Sequence, residues 1–409
     1  MKTRTKTETE TGSSRRPGEG SNLDKTAIIL LTALTAASTG SSARAPEPED
    51  GMIAVYVGTY TDSESRGIYR FGVDPVSGEA TTPALAAASE SPSFLALHPG
   101  GRFLYAVNET DDFGGESTGA VSAFAIDPAS GDLRLLNQKP SMGAHPCHLL
   151  LDAAGRHVLV ANYSGGNVSV LPLTADGRLE APSAVRAHEG SGPDSRRQER
   201  PHAHGLALAL DERFLLVADL GADRVFVHRF DPAAGTLEPS APPSAAAEPG
   251  SGPRHVVFHP SGNHAYAINE LLSTVTVFGY EAASGILEPV QTITTLPVEF
   301  EGRNSTAEIA VSPDGRFLYG SNRGHDSLAV FTIDEDSGRL AAAGHVSTGG
   351  RSPRHFAMDA TGRLLLAANQ GSDTITVFRI DPDTGLPAPV GEPVRVPKPV
   401  CLLLMPPAG

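Results

Sequence analysis

A pattern that returns at intervals of about fifty residues constrains the fold of this chain more than any other feature of its sequence. Its clearest copies occupy residues 92–108, 253–269 and 353–369. Each copy has an apolar run, a turn that contains Gly, and a second apolar run that ends at Asn. Looser copies begin at Pro146, Ala203 and Thr306. The chain is therefore predicted to be an array of similar modules.

Each module is predicted to contain four β-strands. Strand A opens the copy, and strand B follows the Gly turn and ends at Asn or Asp. Strand C alternates apolar and polar residues, as in residues 374–380 (TITVFRI). A turn such as residues 381–385 (DPDTG) then leads into a variable strand D, with Asp and Pro starting the turn and Gly supplying a positive φ. Four short strands in such a period are typical of a β-propeller blade.

The two ends of the chain supply complementary parts of one further blade. Residues 53–88 contain strands B, C and D with no strand A before them, and residues 399–405 (PVCLLLM) form a strand A with nothing after it. The internal copies and this divided one make about seven blades. The sequence therefore predicts an all-β, seven-bladed β-propeller whose C-terminal strand joins the N-terminal blade. Two smaller domains would instead leave both ends unpaired, whereas closing the ring hides the edge strands.

Residues 1–51 are predicted to be a disordered leader and linker, and residues 52–409 the propeller domain. The leader has an apolar run at residues 27–38 and small residues at positions 43 and 45 (ARA at 43–45), which resemble an export signal. Its Arg15-Arg16 pair suits a twin-arginine element, but its acidic residues are unusual in an export signal. The rival interpretation is that Met52 is the true start of the protein. A cytoplasmic location is predicted, with export as the alternative.

The charge of the chain excludes some classes of partner. A formal net charge of -15 argues against binding to nucleic acid or to an anionic membrane, both of which need a basic face. A small anionic ligand remains compatible, because a few arginines can make a locally positive site. Cys147 and Cys401 fit no metal-ligand spacing and are predicted to be buried thiols.

Polar residues recur at two positions of the repeat, the start of strand A and the residue after strand B. In a propeller these positions meet at one mouth of the central channel. The start of strand A carries His148, His204, Arg254, His255, Glu308, Arg354 and His355, and strand B is followed by Glu109, Tyr163, Glu270, Arg323 and Gln370. Charged residues are rarely buried unless they are paired or functional, so a functional site is predicted at this mouth. The recurring Asn residues are interpreted as turn caps.

The longest connection without repeat character spans residues 188–204 and ends in RRQERPHAH. Long loops in compact domains are often functional. His202 and His204 could hold a metal together with a carboxylate such as Glu308, but no third ligand is fixed by local spacing. Hydrogen bonding to a substrate is the preferred interpretation, and neither a metal nor another cofactor is predicted.

Several segments resemble the motifs of the lactonase family of propellers. They are residues 56–61 (YVGTYT), 161–163 (ANY), 201–204 (PHAH), 252–260 (GPRHVVFHP), 269–270 (NE), 307–319 (AEIAVSPDGRFLY) and 321–324 (SNRG), and the resemblance covers about residues 53–406. That family includes 6-phosphogluconolactonases and enzymes that cyclise carboxymuconate. The resemblance implies hydrolysis of a sugar lactone, with 6-phosphogluconolactone as the first expectation. A lactonising cycloisomerase and a propeller that only binds its ligand are the alternatives.

The resemblance also implies which residues at the mouth do the chemistry. The expected catalytic set is His204, Arg254, Glu270, Glu308 and Arg323. The expected substrate-binding set is His148, Tyr163, His202, His255, Arg354 and His355. Lactone hydrolysis needs a base to activate water, and arginines can stabilise the oxyanion and bind an anionic lactone. No serine nucleophile elbow is visible, and the choice of base among the carboxylates and imidazoles stays open.

Overall fold

The structure, a computed structural model, describes residues 51–405, which contain 28 β-strands in seven four-stranded sheets. The predicted leader lies outside the described residues apart from Gly51, so it stays a prediction. The prediction of an all-β, seven-bladed propeller is confirmed. Among residues 51–405, no helix is long and apolar enough to cross a membrane.

Strands are given from the innermost, strand A, to the outermost, strand D. Blade 1 consists of β28 (Pro399–Leu404), β1 (Ile53–Thr59), β2 (Gly67–Val73) and β3 (Ala84–Ala88). Blade 2 consists of β4 (Leu95–Leu97), β5 (Phe103–Asn108), β6 (Ala120–Ile126) and β7 (Leu133–Pro140). Blade 3 consists of β8 (Pro146–Leu151), β9 (His157–Asn162), β10 (Asn167–Pro172) and β11 (Ala184–Ala187). Blade 4 consists of β12 (Ala203–Leu208), β13 (Phe214–Asp219), β14 (Arg224–Asp231) and β15 (Thr236–Ala246).

The remaining three blades follow the same order. Blade 5 consists of β16 (Pro253–Phe258), β17 (His264–Asn269), β18 (Thr274–Glu281) and β19 (Ile286–Thr294). Blade 6 consists of β20 (Ser305–Val311), β21 (Phe317–Arg323), β22 (Ser327–Ile333) and β23 (Leu340–Ser347). Blade 7 consists of β24 (Pro353–Met358), β25 (Leu364–Asn369), β26 (Thr374–Ile380) and β27 (Pro387–Arg395).

The ring closes within blade 1, as the sequence predicts. Strand β28 pairs antiparallel with β1, with Leu402 opposite Val57. The backbone N–H of Met405 donates to the carbonyl of Ala54 at 2.8 Å. Because β28 also contacts the inner strands of blades 7 and 2, the divided blade completes the ring.

The hydrophobic core is distributed over the seven interfaces between blades, with one cluster of buried residues at each. Between blades 7 and 1, for example, Leu366 and Val377 pack with Val57 and Leu402. Full burial of such a side chain contributes about 1.5–3 kcal/mol. Each blade therefore depends on both neighbours for stability.

Tyrosines of strand B also connect neighbouring blades. Their hydroxyls donate to the carbonyl of a turn glycine in the next blade: Tyr56 to Gly131, Tyr105 to Gly177, Tyr266 to Gly338 and Tyr319 to Gly385. Gly385 has φ of 72°, and a Cβ there would collide with the ring of Phe317. The glycine of this repeated turn is thus required both by the backbone and by the neighbouring blade.

Candidate active site at the mouth of the channel

A β-bulge at the start of strand A turns one side chain toward the channel in five of the seven blades. In blade 5, Pro253 pairs with Asn269 and His255 with Ile268, so Arg254 has no partner residue in the register. The same irregularity occurs in other blades and involves Cys147, His204, Arg354 and Val400. A bulge re-aims the side chain of the extra residue. All five of these residues line the cavities at the mouth of the channel.

The mouth contains two adjoining cavities. The outer cavity, of about 350 Å³, is lined by Glu109, Cys147, Tyr163, Arg197, His204, Glu270, Ser305, Arg323 and Arg354. The inner chamber, of about 10 Å³, is lined by Tyr60, Ser93, Phe94, Glu109, Cys147, Arg254, His255, Glu308, Arg354, His355 and Val400. The outer cavity has the size of a small-molecule site, and the chamber has room for about one water molecule.

Glu270 lies at the centre of an ion-pair network. Its Oε2 accepts from Arg254 Nε at 3.1 Å and forms an ion pair at 2.8 Å with Arg323 Nη2, which donates to the carbonyl of Thr306. Its Oε1 accepts from Arg197 Nη2 at 2.7 Å. Burial alone would raise the pKa of Glu270, but the three arginines outweigh it and set the pKa at about 2. Glu270 therefore stays ionised, orders the arginines and is a weak base.

Arg254 connects blade 5 to blade 6. Its side chain is 3 % exposed, and its Nη1 donates to the carbonyl of Ala307 at 2.7 Å and to His255 Nε2 at 3.1 Å. Burial lowers the pKa of this guanidinium, and the charge of Arg354 adds to the effect. With its donors directed at protein atoms, Arg254 mainly holds its neighbours in place.

A buried carboxylate and two histidines form the wall of the inner chamber. Because His255 Nε2 accepts from Arg254, the ring proton lies on Nδ1, which donates to Glu308 Oε1 at 3.0 Å. Glu308 Oε2 is 3.3 Å from His355 Nε2 but poorly aligned for a hydrogen bond. Burial lowers the pKa of His355 to about 4, despite Glu308, and lowers that of His255 far below its ordinary range. Both imidazoles are therefore neutral near pH 7.

Two further histidines, His148 and His204, pack beside His255 of this wall. The ring of His148 lies 4.1 Å from that of Phe94, and His204 lies 5.1 Å from His255. Burial lowers the pKa of both His148 and His204 well below the ordinary value. Gly205 permits this approach, because a Cβ there would lie 2.6 Å from the carbonyl oxygen of Arg254.

Lowering the pH should destabilise the protein already at pH values well above those at which its carboxylates titrate. The pKa is about 4 for His355 and about 3 for buried His228, against about 6.5 in the unfolded chain. As the pH decreases, the unfolded state therefore binds protons before the folded state does. The stability that these histidines contribute is fully present above pH 6.5 and is lost as the pH decreases below it. At pH 5 each of these histidines should have lowered the free energy of unfolding by about 2 kcal/mol. Urea unfolding at pH 7.5, 6 and 5 measures the loss, and a constant free energy of unfolding would contradict it.

Tyr60, Glu109 and Arg354 form a hydrogen-bonded chain across the mouth. The Tyr60 hydroxyl donates to Glu109 Oε2 at 2.9 Å and accepts from Arg354 Nη2 at 2.8 Å. Ser93 Oγ also donates to Glu109 Oε2, whereas Oε1 accepts no hydrogen bond from residues 51–405. Burial opposes the charge of Arg354, but Tyr60 and Glu109 keep its pKa above the ordinary range. No carboxylate of the described residues lies within 4.0 Å of Arg354, which leaves this cation able to take an anionic ligand.

The structure brings nearly all the predicted site residues together at the mouth. Around the two cavities and their wall lie His148, Tyr163, His204, Arg254, His255, Glu270, Glu308, Arg323, Arg354 and His355. His202 lies behind them: its ring stacks on Tyr163, its Nδ1 faces the Tyr163 carbonyl at 3.1 Å, and its Nε2 is 3.3 Å from Glu199. Among residues 51–405, no group of three or more His, Cys, Asp or Glu residues is placed to hold a metal ion.

Tyr60 and Arg197 were not singled out from the sequence, and Glu109 was placed at the mouth without a role. Tyr60 directly follows β1 as Glu109 follows β5, so applying the repeat rule to the divided blade would have found it. Glu109 occupies the recurring position after strand B, but nothing in the sequence separates it from the other residues there. Arg197 lies on the irregular connection before β12, and the richness of that segment in arginine is its only signal.

The comparison with known families agrees with this architecture. The family described as "Lactonase, 7-bladed beta-propeller" matches residues 54–404. The chain therefore belongs to the lactonase family of seven-bladed β-propellers.

Similar curated proteins carry a more specific name. The 6-phosphogluconolactonase of Bacillus subtilis (strain 168) is 38% identical over 301 residues, which are 74% of this chain and 83% of the relative. That of Formosa agariphila is 35% identical over 308 residues, 74% of this chain and 85% of the relative.

Two solved structures are similar over most of this chain. A putative 6-phosphogluconolactonase from Bacteroides fragilis has a TM-score of 0.81 and 38% identity, covering 88% of this chain and 100% of its own. A periplasmic gluconolactonase from Pseudomonas aeruginosa has a TM-score of 0.82 and 36% identity, covering 87% of this chain and 100% of its own.

Proposed function

We propose that this protein hydrolyses a sugar lactone in the outer cavity, with 6-phosphogluconolactone as the substrate and 6-phosphogluconate as the product. The proposal rests on one observation: Glu109, Arg323 and Arg354 line the same cavity, and Glu109 forms no ion pair with an arginine of residues 51–405. Two curated relatives named for this reaction support the choice of substrate. A small anionic lactone is then the partner, and the net charge of -15 argues against nucleic acid or an anionic membrane.

In the proposed mechanism Glu109 is the general base. Of the two carboxylates that line the outer cavity, Glu270 has a pKa of about 2 and is held by three arginines, which leaves Glu109. Its Oε1 takes a proton from water while the water oxygen bonds to the lactone carbonyl carbon. Arg354 stabilises the oxyanion. The carbon–oxygen bond of the ring then breaks, and the ring oxygen leaves as a hydroxyl that carries the proton back from Glu109.

The other predicted catalytic residues support this centre in the proposal. Glu270 positions Arg254 and Arg323 through its ion pairs. Glu308 orients His255 and lies beside His355. His204, whose imidazole is kept neutral by burial, gives the lactone a wall that is polar but uncharged.

A panel of lactones tests the function. The full chain and a version that begins at Met52 should both hydrolyse 6-phosphogluconolactone faster than it hydrolyses spontaneously. Unphosphorylated gluconolactone is the second candidate, because a similar solved protein is named a gluconolactonase. Turnover of carboxymuconate lactone alone would favour the cycloisomerase, and no turnover at all would favour a binding module.

The substrate also bears on location. A phosphorylated sugar lactone is an intracellular metabolite, so we propose a cytoplasmic location. A preference for the unphosphorylated lactone would favour export instead.

Replacing Arg354 by Ala should lower kcat/KM on the preferred lactone on the order of a hundredfold, because the oxyanion loses its charged donor. Lys should recover only part of the loss, since an ammonium cannot reproduce the geometry of the guanidinium. Exposed Arg351, whose Nη2 donates to the carbonyl of Gly371, is the matched control, and R351A should keep the parental rate. Near-parental kcat/KM for a folded R354A would exclude Arg354 from the reaction.

A further inference from the structure

The loop of residues 188–202, between β11 and β12, is fixed to two neighbouring parts of the fold. Gln198 is fully buried, and its Nε2 donates to the carbonyl of Leu220 at 2.9 Å and to Asp223 Oδ1 at 2.6 Å. The same Asp223 carboxylate accepts from the backbone N–H of Gly250 at 2.6 Å and of Gly252 at 2.8 Å. The backbone beside Arg197 is therefore tied both to the β13–β14 turn and to the connection before β16.

This anchoring places Arg197 at the open side of the outer cavity. Its Nη2 is 2.7 Å from Glu270 Oε1 and 3.3 Å from the Tyr163 hydroxyl. The Arg197 side chain is 40% exposed, against 3% for Arg254 and 13% for Arg323. Of the three arginines around Glu270, Arg197 is the one that an entering molecule meets.

The charges around Glu270 leave Arg197 available to another anion. One carboxylate faces three guanidinium groups, so two positive charges are uncompensated within this network. If Arg197 turns to a ligand, Glu270 Oε2 keeps both Arg254 and Arg323, and the buried carboxylate is not left unpaired. The ion pair that is lost is exposed to solvent on the Arg197 side, where the guanidinium is screened and can be rehydrated. A second anion thus completes the charge balance without disrupting the buried part of the network.

We infer that Arg197 selects lactones that carry an anionic substituent, a phosphate or carboxylate remote from the lactone carbonyl. This inference rests on the proposed function, in which Arg354 binds the carbonyl oxygen. The guanidinium of Arg197 binds the anionic group by two-point hydrogen bonding, as arginine does with phosphate and carboxylate. Gln198 is a positioning residue that keeps Arg197 at the entrance.

The test compares two substrates in the full-length protein. The kcat/KM values for 6-phosphogluconolactone and for gluconolactone are measured above spontaneous hydrolysis, and their ratio is the readout. R197A should lower this ratio about tenfold or more through a higher KM for the phosphorylated lactone, as expected for the loss of a charge-assisted contact. R197K should keep an intermediate ratio. Q198A should lower the ratio as well, because the loop then no longer holds Arg197 in place.

Arg196 provides the matched control, because its side chain is exposed and removing it subtracts the same charge from the same loop. R196A should keep the parental ratio. If R196A and R197A lower the ratio equally, the loop acts only through its overall charge, and the inference is wrong. An unchanged ratio in R197A also overturns it while lactone hydrolysis stands. A parental protein that hydrolyses neither lactone would instead refute the proposed function itself.

Discussion

Replacing Glu109 by Gln should lower kcat for lactone hydrolysis on the order of a thousandfold while leaving the protein folded. Gln retains an oxygen that can accept from Tyr60 and Ser93, so the local hydrogen bonds survive. It cannot take a proton from water. Measuring kcat and the melting temperature of E109Q separates loss of the base from loss of structure.

Exposed Glu116, in the connection between β5 and β6, is a control of the same residue type, and E116Q should keep the parental kcat. E308Q tests the rival base in the inner chamber. If E109Q retains most of its kcat while E308Q loses activity, Glu308 is the base and the water reacts from the chamber. E270Q should raise KM, because Arg197, Arg254 and Arg323 lose their common partner.

Deleting residues 399–409 should abolish the soluble folded protein. The deletion removes β28, which pairs with β1 and contacts the inner strands of blades 7 and 2. Val400, Cys401 and Leu402 leave buried positions, and the exposed edge of β1 becomes able to pair with another chain. The lost burial alone is worth about 5 kcal/mol, which approaches the whole stability of many domains.

Truncation after Met405 is the matched control, because it keeps β28 intact. Solubility, size-exclusion behaviour and melting temperature compare the two truncations. A soluble monomer lacking residues 399–409 that melts at the parental temperature would show that the other six blades do not need the divided one.

The sequence predicted the fold because every blade repeats the same turn and strand pattern. Even the divided blade was recognisable, since residues 53–88 and 399–405 are complementary parts of one repeat unit. Most residues of the site were predictable for a related reason. In five of the seven blades a bulge at a constant position turns one residue of strand A toward the channel, so Arg254 and Arg354 share one position in the repeat.

Other features of the site depend on contacts that the repeat does not encode. Arg197 reaches Glu270 across 73 residues of chain from an irregular loop, and no periodicity places it. Tyr60 was not predicted as a site residue because the strand that completes its blade lies at the other end of the chain. The neutrality of His255 and His355 follows from burial and nearby charges, which appear only when the blades assemble. His202 lies one residue before β12, and its stacking on Tyr163 is equally invisible in the sequence.

The closure of the ring has a consequence for when the protein becomes active during its synthesis. The backbone N–H of Tyr60 donates to the carbonyl of Lys398 at 3.3 Å, directly before β28. Tyr60 in turn holds both Glu109 and Arg354. A nascent chain emerges from the ribosome N-terminus first, so this contact forms only after the last blade has been made. If Glu109 and Arg354 act as proposed, we therefore expect catalysis to begin only when the whole ring has assembled, so that the onset of turnover would report the completion of folding.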